Sequence, residues 1–191
     1  FKADPERPSY YAERIQRLGR EAVDGKRRFR VGLMWGSNPA AVSAKFSRWT
    51  HQRSIPLHAL LPLADMLDDV EFISLQNQER GSEAATTPQL DIVDFSLDQA
   101  DFYDTAALID NLDLVISVDT SVSHLAGGMG VPTWVPLMKR ADWRHGRTRE
   151  HSIWYDQTRY FRQTQADDWR TVIQSLHDTL HTHIDHWKTS A

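Results

Sequence analysis

Residues 112–126 read LDLVISVDTSVSHLA, and the fold follows from how they divide. From Leu112 to Val118 the run is nearly all apolar. A short continuous apolar run of this kind fits a strand buried on both faces, as in a parallel sheet covered by helices. Asp119-Thr120-Ser121 comes next, three short oxygen-bearing side chains of the sort that cap helix starts. A short helix is expected through Leu125 and Ala126, with Gly130 as its stop.

Reading outward, the same alternation repeats. Upstream, Ala100 to Asn111 reads as a helix with Phe102, Ala106, Leu108 and Ile109 apolar. Val70 to Leu75 and Leu90 to Phe95 read as short strands, and residues 77–90 as polar and turn-like. Pro56 opens a helix bearing Leu57, Leu60, Leu61 and Leu63, with a kink or early break expected at Pro62. Phe29 to Trp35 (FRVGLMW) reads as a buried strand, followed by a turn at Gly36-Ser37-Asn38-Pro39 and a loop to about Arg53. An N-terminal helix carries Tyr11, Ile15 and Leu18, with Ser9 as cap and Gly25 as stop. Downstream, Val131 to Val135 and Arg159 to Arg162 are strands separated by an aromatic, basic loop over 137–157. Asp167 to about His183 forms a last amphipathic helix. Strand alternating with helix predicts an α/β fold, a Rossmann-like parallel sheet with helices on both faces.

Composition narrows the function. The 191 residues are 40% hydrophobic and 25% charged, ordinary globular values. No apolar run is long enough for a transmembrane helix, and FKADPERPSYY is no secretory signal. Zero cysteines exclude disulfides, thiolate metal sites and cysteine nucleophiles, and fit a reducing cytoplasm. A net charge of −4 argues against nucleic acid as partner. Phe1 in place of Met suggests a piece of a longer protein.

Ligands of parallel α/β sheets sit beyond the carboxyl ends of the strands. Two such ends carry chemistry here, Trp35-Gly36-Ser37-Asn38 and Asp119-Thr120-Ser121-Val122-Ser123-His124. The second joins unpaired helix-start N–H groups and a partial positive charge to two hydroxyls and an imidazole, a combination suited to phosphate. The plainer reading is an N-cap alone. At the first end Ser37 and Asn38 can donate to oxygens, and Arg53 can supply a charge-assisted bond. Lys45 and Arg48 read more simply as solvated. No Walker loop and no GxGxxG fingerprint is present, so nicotinamide chemistry is not expected. His177, His181, His183 and His186 read as a polar helix face, and no metal is expected.

Several segments, in order, resemble one family: VGLMWGSNP at 31–39, RSIPL at 53–57, FISLQ at 72–76, DTAALIDNLDLVISVDTSVSHLA at 104–126, then Asp142-Trp143-Arg144 and Phe161-Arg162-Gln163. Together they resemble the C-terminal half of bacterial glycosyltransferases related to the lipopolysaccharide heptosyltransferases (glycosyltransferase family 9), domains that often follow tetratricopeptide repeats. The resemblance implies one half of a GT-B fold, with residues 1–28 as N-terminal helix and lead-in and 29–191 as the nucleotide-sugar-binding domain. It implies that Asp119, Thr120, Ser121, Val122 and His124 contact the donor diphosphate and sugar, that Ser37, Asn38 and Arg53 face the phosphates from the first strand end, and that Gln76 lies near the nucleoside. It implies a nucleotide-diphosphate sugar as donor substrate and no other cofactor or metal. The acceptor would be a glycan, lipid or protein, and the N-terminal half of the same chain would be a further partner, supplying the catalytic base. The location implied is cytoplasmic, either free or peripheral to the inner membrane.

Two other readings stay open. One is a catalytically silent nucleotide-sugar-binding or interaction module of a repeat protein. The other makes Asp119 a phospho-acceptor, but such sites want a second acid where Ser121 stands, or an acidic pair where Met34-Trp35 stand.

Overall fold

The structure, a computed structural model, describes residues 7–19, 26–37, 44–76 and 78–190. Strands β1 (Phe29–Met34), β2 (Val70–Ser74), β3 (Val93–Asp94), β4 (Leu114–Ser117), β5 (Thr133–Leu137) and β6 (Thr158–Arg162) form one sheet in the order 3-2-1-4-5-6. Every neighbouring pair is parallel. The chain starts at the centre, runs outward through β2 and β3, and returns to lay β4 on the other side of β1. Strand order therefore reverses between β1 and β4, and a crevice opens at such a switch, beyond the carboxyl ends.

Both faces of the sheet are buried, each by its own apolar cluster. Val31 and Leu33 of β1 with Leu114 and Ile116 of β4 face a cluster built with Leu57, Leu60 and Leu63 and with the inner face of α6 (Arg170–Ser190). Met34, Ile73 and Val115 face the opposite cluster, with α1 (Arg7–Leu18), α4 (Phe102–Ile109) and α5 (Ser121–Met129). This period-2 division of a nearly all-apolar run is what double burial requires. On the second face Gly32 leaves room for Leu112 and Leu75; a Cβ there would stand 2.5 Å from Leu112 Cδ1.

The helix α1 is more than a lead-in. Tyr11 and Ile15 are buried in the second cluster. Tyr11 donates to the Asp98 carbonyl at 2.9 Å, and Arg14 pairs with Asp98 at 2.8 Å. The helix as described runs from Arg7 to Leu18, so Ser9 stands inside it rather than at its cap; the expected stop at Gly25 lies outside the described residues.

Further local expectations need correction, among them the strand read over Leu90 to Phe95, which is only Val93–Asp94 after a 3₁₀ turn at Pro88–Leu90. The stretch read as loop up to Arg53 contains α2 (Ala44–Gln52). Trp49 packs against the first cluster and Thr50 is buried, so tertiary contact completes a helix whose local pattern is weak. Leu57–Met66 is 3₁₀ rather than α-helix; Pro62 has no N–H for an i→i−4 ladder, and the tighter turn keeps Leu57, Leu60 and Leu63 inward but leaves Leu61, expected on the apolar side, exposed. The stretch 77–90, read as turn-like, holds α3 (Gln78–Gly81) and two short 3₁₀ turns. Finally, α6 continues past His183 to Ser190 because Ile184 is buried as its next inward residue. Among the described residues no helix is long and apolar enough to cross a membrane.

Candidate functional site

The carboxyl end of β4 passes into α5 through Asp119 and Thr120. Thr120 is the N-cap in extended conformation, and Gly130 closes the helix in the left-handed region at φ 80°. Ser123 ties the corner: its hydroxyl donates to the Thr120 carbonyl at 2.8 Å and accepts from the Thr120 N–H at 3.4 Å. The Thr120 hydroxyl meets Ser117 Oγ at 3.2 Å, locking strand end to helix start. Ser121 is exposed at the first helical position. Val122 buries its side chain in the second cluster, so the group it can offer a ligand is its backbone.

Asp119 lies 5% exposed beside two imidazoles. His145 Nε2 stands 3.1 Å from Asp119 Oδ1, off the line of a well-aligned hydrogen bond, and His124 Nε2 stands 3.8 Å from the same oxygen. The two rings are nearly parallel, at 14° with centroids 6.2 Å apart. His124 Nδ1 is 3.2 Å from the Tyr155 hydroxyl. Gly127 makes that contact possible, since a Cβ there would lie 2.7 Å from Tyr155 Cγ. The loop bearing His145 is fixed from β6: Arg162 donates through Nη2 to the His145 carbonyl and through Nε to the Arg149 carbonyl at 2.9 Å.

The local field is mixed. Burial alone would raise the Asp119 carboxyl, but His145, Arg53 and Arg144 outweigh it and hold the group below the ordinary carboxylate value. Burial pushes His124 below its ordinary value, with help from Arg144 and His145 and against Asp119. Arg53 is lowered by burial too. Its guanidinium lies 4.4 Å from the centroid of the Trp49 ring, and its buried Nε has no hydrogen-bond partner among the described residues. Arg144 is half-exposed and pairs with Asp142 at 2.9 Å.

The end of β1 is built differently. Gln76 is fully buried and accepts the Gly36 N–H at 2.9 Å. Ser37 N–H donates to Ser54 Oγ at 3.1 Å. Arg80 lies across Gly36, donates to the Ser37 carbonyl at 3.4 Å, and pairs with Glu83 at 2.8 Å. Glu83 also accepts the Trp35 indole N–H at 2.7 Å. Asn38 lies outside the described residues. Thus His124 and Arg53 come to Asp119 through distance or charge, and Thr120 and Ser121 follow it at the helix start, while Ser37 and Gln76 bond within the protein, with Gln76 Nε2 left unpartnered among the described residues.

His145 is the residue that sequence reasoning missed, and Tyr155, in the aromatic Trp154-Tyr155 pair, reads from sequence more simply as a loop anchor than as part of a site. Both come from the loop after β5, far along the chain from Asp119, where no periodicity marks them. The signals nearby were the Asp142-Trp143-Arg144 motif that leads into His145 and the Trp154-Tyr155 pair. The tail histidines serve elsewhere: His177 lies 2.8 Å from Asp65 and 3.1 Å from Asp178, and His181 lies 3.3 Å from Asp185.

No family model matches the sequence. Protein FlbA of Caulobacter vibrioides is 28% identical over 178 residues, which is 91% of this chain but 27% of that protein. Among solved structures, ADP-heptose lipopolysaccharide heptosyltransferase II of Escherichia coli superposes with a TM-score of 0.66 at 12% identity, over 98% of this chain and 54% of that one. A glycosyltransferase of family 9 from Veillonella parvula gives a TM-score of 0.62 at 13% identity, over 85% and 42% respectively. The chain therefore spans about a quarter of the curated relative and about half of each enzyme. These likenesses show the fold, a glycosyltransferase family 9-like Rossmann half of the GT-B type.

Proposed function

We propose that this chain is the donor-binding half of a glycosyltransferase, taking a nucleotide-diphosphate sugar at the carboxyl ends of β1 and β4. The observation that carries the reading is the convergence, at the strand-order switch, of the α5 N-terminus, the Arg53 guanidinium and the His124 imidazole, with buried nitrogens of Arg53 and His124 unpartnered among the described residues. Such a site offers what a leaving diphosphate needs: fixed N–H donors, a cation and a partly desolvated field. In the transfer, the bond between the sugar anomeric carbon and the diphosphate oxygen breaks, and the acceptor oxygen bonds to that carbon. The acceptor proton passes to a base, and negative charge collects on the diphosphate. Thr120, Ser121, His124 and Arg53 would receive that charge, with Asp119 positioned to accept from a sugar hydroxyl. The donor is the only small molecule the reading calls for.

The base would come from outside this chain. Asp119 is engaged by His145 and Asp142 by Arg144, so the carboxylates of this site are already paired. The same observation favours a second reading, in which the chain binds donor without turnover unless another half is present.

Calorimetric titration with UDP, GDP, ADP and CDP tests the proposal. One of the four should bind, about tenfold more weakly to His124→Ala and to Arg53→Ala. Failure of all four to bind both this chain and the full-length protein would overturn it. Binding by the full-length protein without any glycosylated product would select the silent module.

A further inference from the structure

His145 is an expensive residue for its place. It is 3% exposed, and neither ring nitrogen has a well-aligned hydrogen-bond partner among the described residues. Its ring packs edge-on to Tyr160 at 5.0 Å, beside a small apolar cluster of Val135, Leu137 and Tyr160. An apolar ring would fill that space without burying two polar nitrogens, which costs free energy when they go unpaired. The loop is nevertheless anchored so that Nε2 lies at Asp119: the His145 N–H donates to the Asp142 carbonyl at 3.1 Å, and Arg162 holds its carbonyl.

Asp119 needs such a partner. A carboxylate at the start of α5 stands where an incoming anion would sit, and like charges at that range oppose one another. Arg53 and Arg144 act on it only through space, and His124 is at 3.8 Å with its Nδ1 turned to Tyr155. His145 is the group in closest contact.

We infer that His145 is a positioning residue of this site, whose Nε2, 3.1 Å from Asp119 Oδ1, orients that carboxylate and so screens its charge from an anion bound at the start of α5. The inference deepens the proposed function and rests on it for the anion. It names a residue that acts through Asp119 rather than on the substrate.

Two measurements test it. The first needs no ligand: the carboxyl carbon of Asp119 is titrated by ¹³C NMR in the 191-residue chain, in His145→Phe and in His145→Gln. Phe keeps a packed ring and removes the donor, while Gln keeps an N–H donor. Asp119 in His145→Phe should bind its proton about tenfold more tightly than in the parent, and His145→Gln should lie closer to the parent. An Asp119 titration indifferent to His145→Phe, or moved equally by both variants, overturns the inference.

The second is calorimetric titration with inorganic pyrophosphate. His145→Phe should bind about tenfold more weakly, and His145→Phe with Asp119→Asn should recover most of that loss, because the charge to be screened is gone. Asp119→Asn alone should bind no more weakly than the parent; it carries the test if His145→Phe fails to fold. A double variant as weak as His145→Phe, or a weakened Asp119→Asn, overturns the screening role. Should the parent bind neither pyrophosphate nor any nucleoside diphosphate, the proposed anion site falls, and the Asp119 titration still decides what His145 does.

Discussion

The ends of β1 and β4 lie side by side at the switch in strand order, and they treat their polar groups in opposite ways. At the end of β1 the protein answers most of its own needs: Gln76 takes the Gly36 amide, Ser54 the Ser37 amide, and Glu83 ties Arg80 to the Trp35 indole, with Gln76 Nε2 left unpartnered among the described residues. At the end of β4 the histidines leave buried nitrogens without well-aligned partners. Buried polar groups are almost always satisfied, and exceptions occur elsewhere among the described residues too, Gln76 Nε2 included; at the second end, however, three imidazole nitrogens are left so beside one carboxylate, and that concentration is what points to a ligand. Substitutions at the first end should therefore cost stability, and those at the second should cost affinity.

The largest effect is expected from Glu83→Ala. It strips a partner from the largely buried Arg80 and from the Trp35 indole at once. Urea denaturation should show a loss of about 3 kcal/mol, the cost of leaving both donors unsatisfied. Diphosphate affinity should change by less than about threefold, a limit set well below the tenfold step of 1.4 kcal/mol. A variant that stays stable and loses affinity would reverse the comparison.

Gly127→Ala comes next, because it strikes the second end through packing. The added methyl meets the Tyr155 ring and, at 3.0 Å, Thr158 Oγ1. Overpacking of this kind costs about 2 kcal/mol. It also pushes Tyr155 away from His124 Nδ1, so affinity should fall with stability. Tyr155→Phe separates the two effects, since it removes the hydroxyl and keeps the ring. If Tyr155→Phe binds diphosphate like the parent, the Tyr155–His124 contact is structural only.

These contrasts were only partly legible in the sequence. The run LDLVISV and the cap residues after it specify strand, corner and helix by local rules alone, and Gly130 closes α5 as expected. The switch between β1 and β4 could not be read there, since parallel pairing alone does not set the strand order. What could not be read depends on partners distant in the chain. Nothing near Gln76 says that it answers Gly36, and nothing near His145 says that it faces Asp119. The 36–53 stretch hid α2 because its helix is completed by Trp49 on the core rather than by its own propensity. Local chemistry therefore located both strand ends, while the structure distinguishes the end whose backbone amides are answered from the end where two imidazoles crowd one carboxylate.

A third, smaller effect is proton uptake on binding. Burial holds His124 below its ordinary value of 6.5, so the neutral ring is favoured in the free protein. A diphosphate beside it favours the cation. Binding should then take up a fraction of a proton, and affinity should rise as pH falls through the region below 6.5. Calorimetry in two buffers of different ionisation enthalpy reads this directly, and His124→Ala should abolish it. The same depression makes neutral His124 contribute stability that is present above 6.5 and lost as pH falls through its lower native value.

The smallest effect lies away from both strand ends and has the opposite sign. The hydrogen bonds of His177 to Asp65 and Asp178, with the charges of both, raise it above 6.5. A group raised in the native state contributes stability that is fully present below its unfolded value and is lost as pH rises through its native value. The loss should fall above pH 6.5, where the His124 contribution is already complete. Asp65 is largely exposed, so solvent screening keeps the pair under about 1 kcal/mol. Urea unfolding of the parent and of Asp65→Asn at pH 6 and pH 8.5 resolves it: the difference between the two proteins should shrink at the higher pH. A difference that does not change with pH would mean the pair contributes as a neutral hydrogen bond, with no charge to lose. A difference that grows with pH would place the favourable form of His177 on the wrong side of its titration. In either case the pH dependence of stability would rest on groups that lose their contributions as pH falls, among them His124 and Asp119 at the strand end and His183 on α6, which burial also holds below its ordinary value.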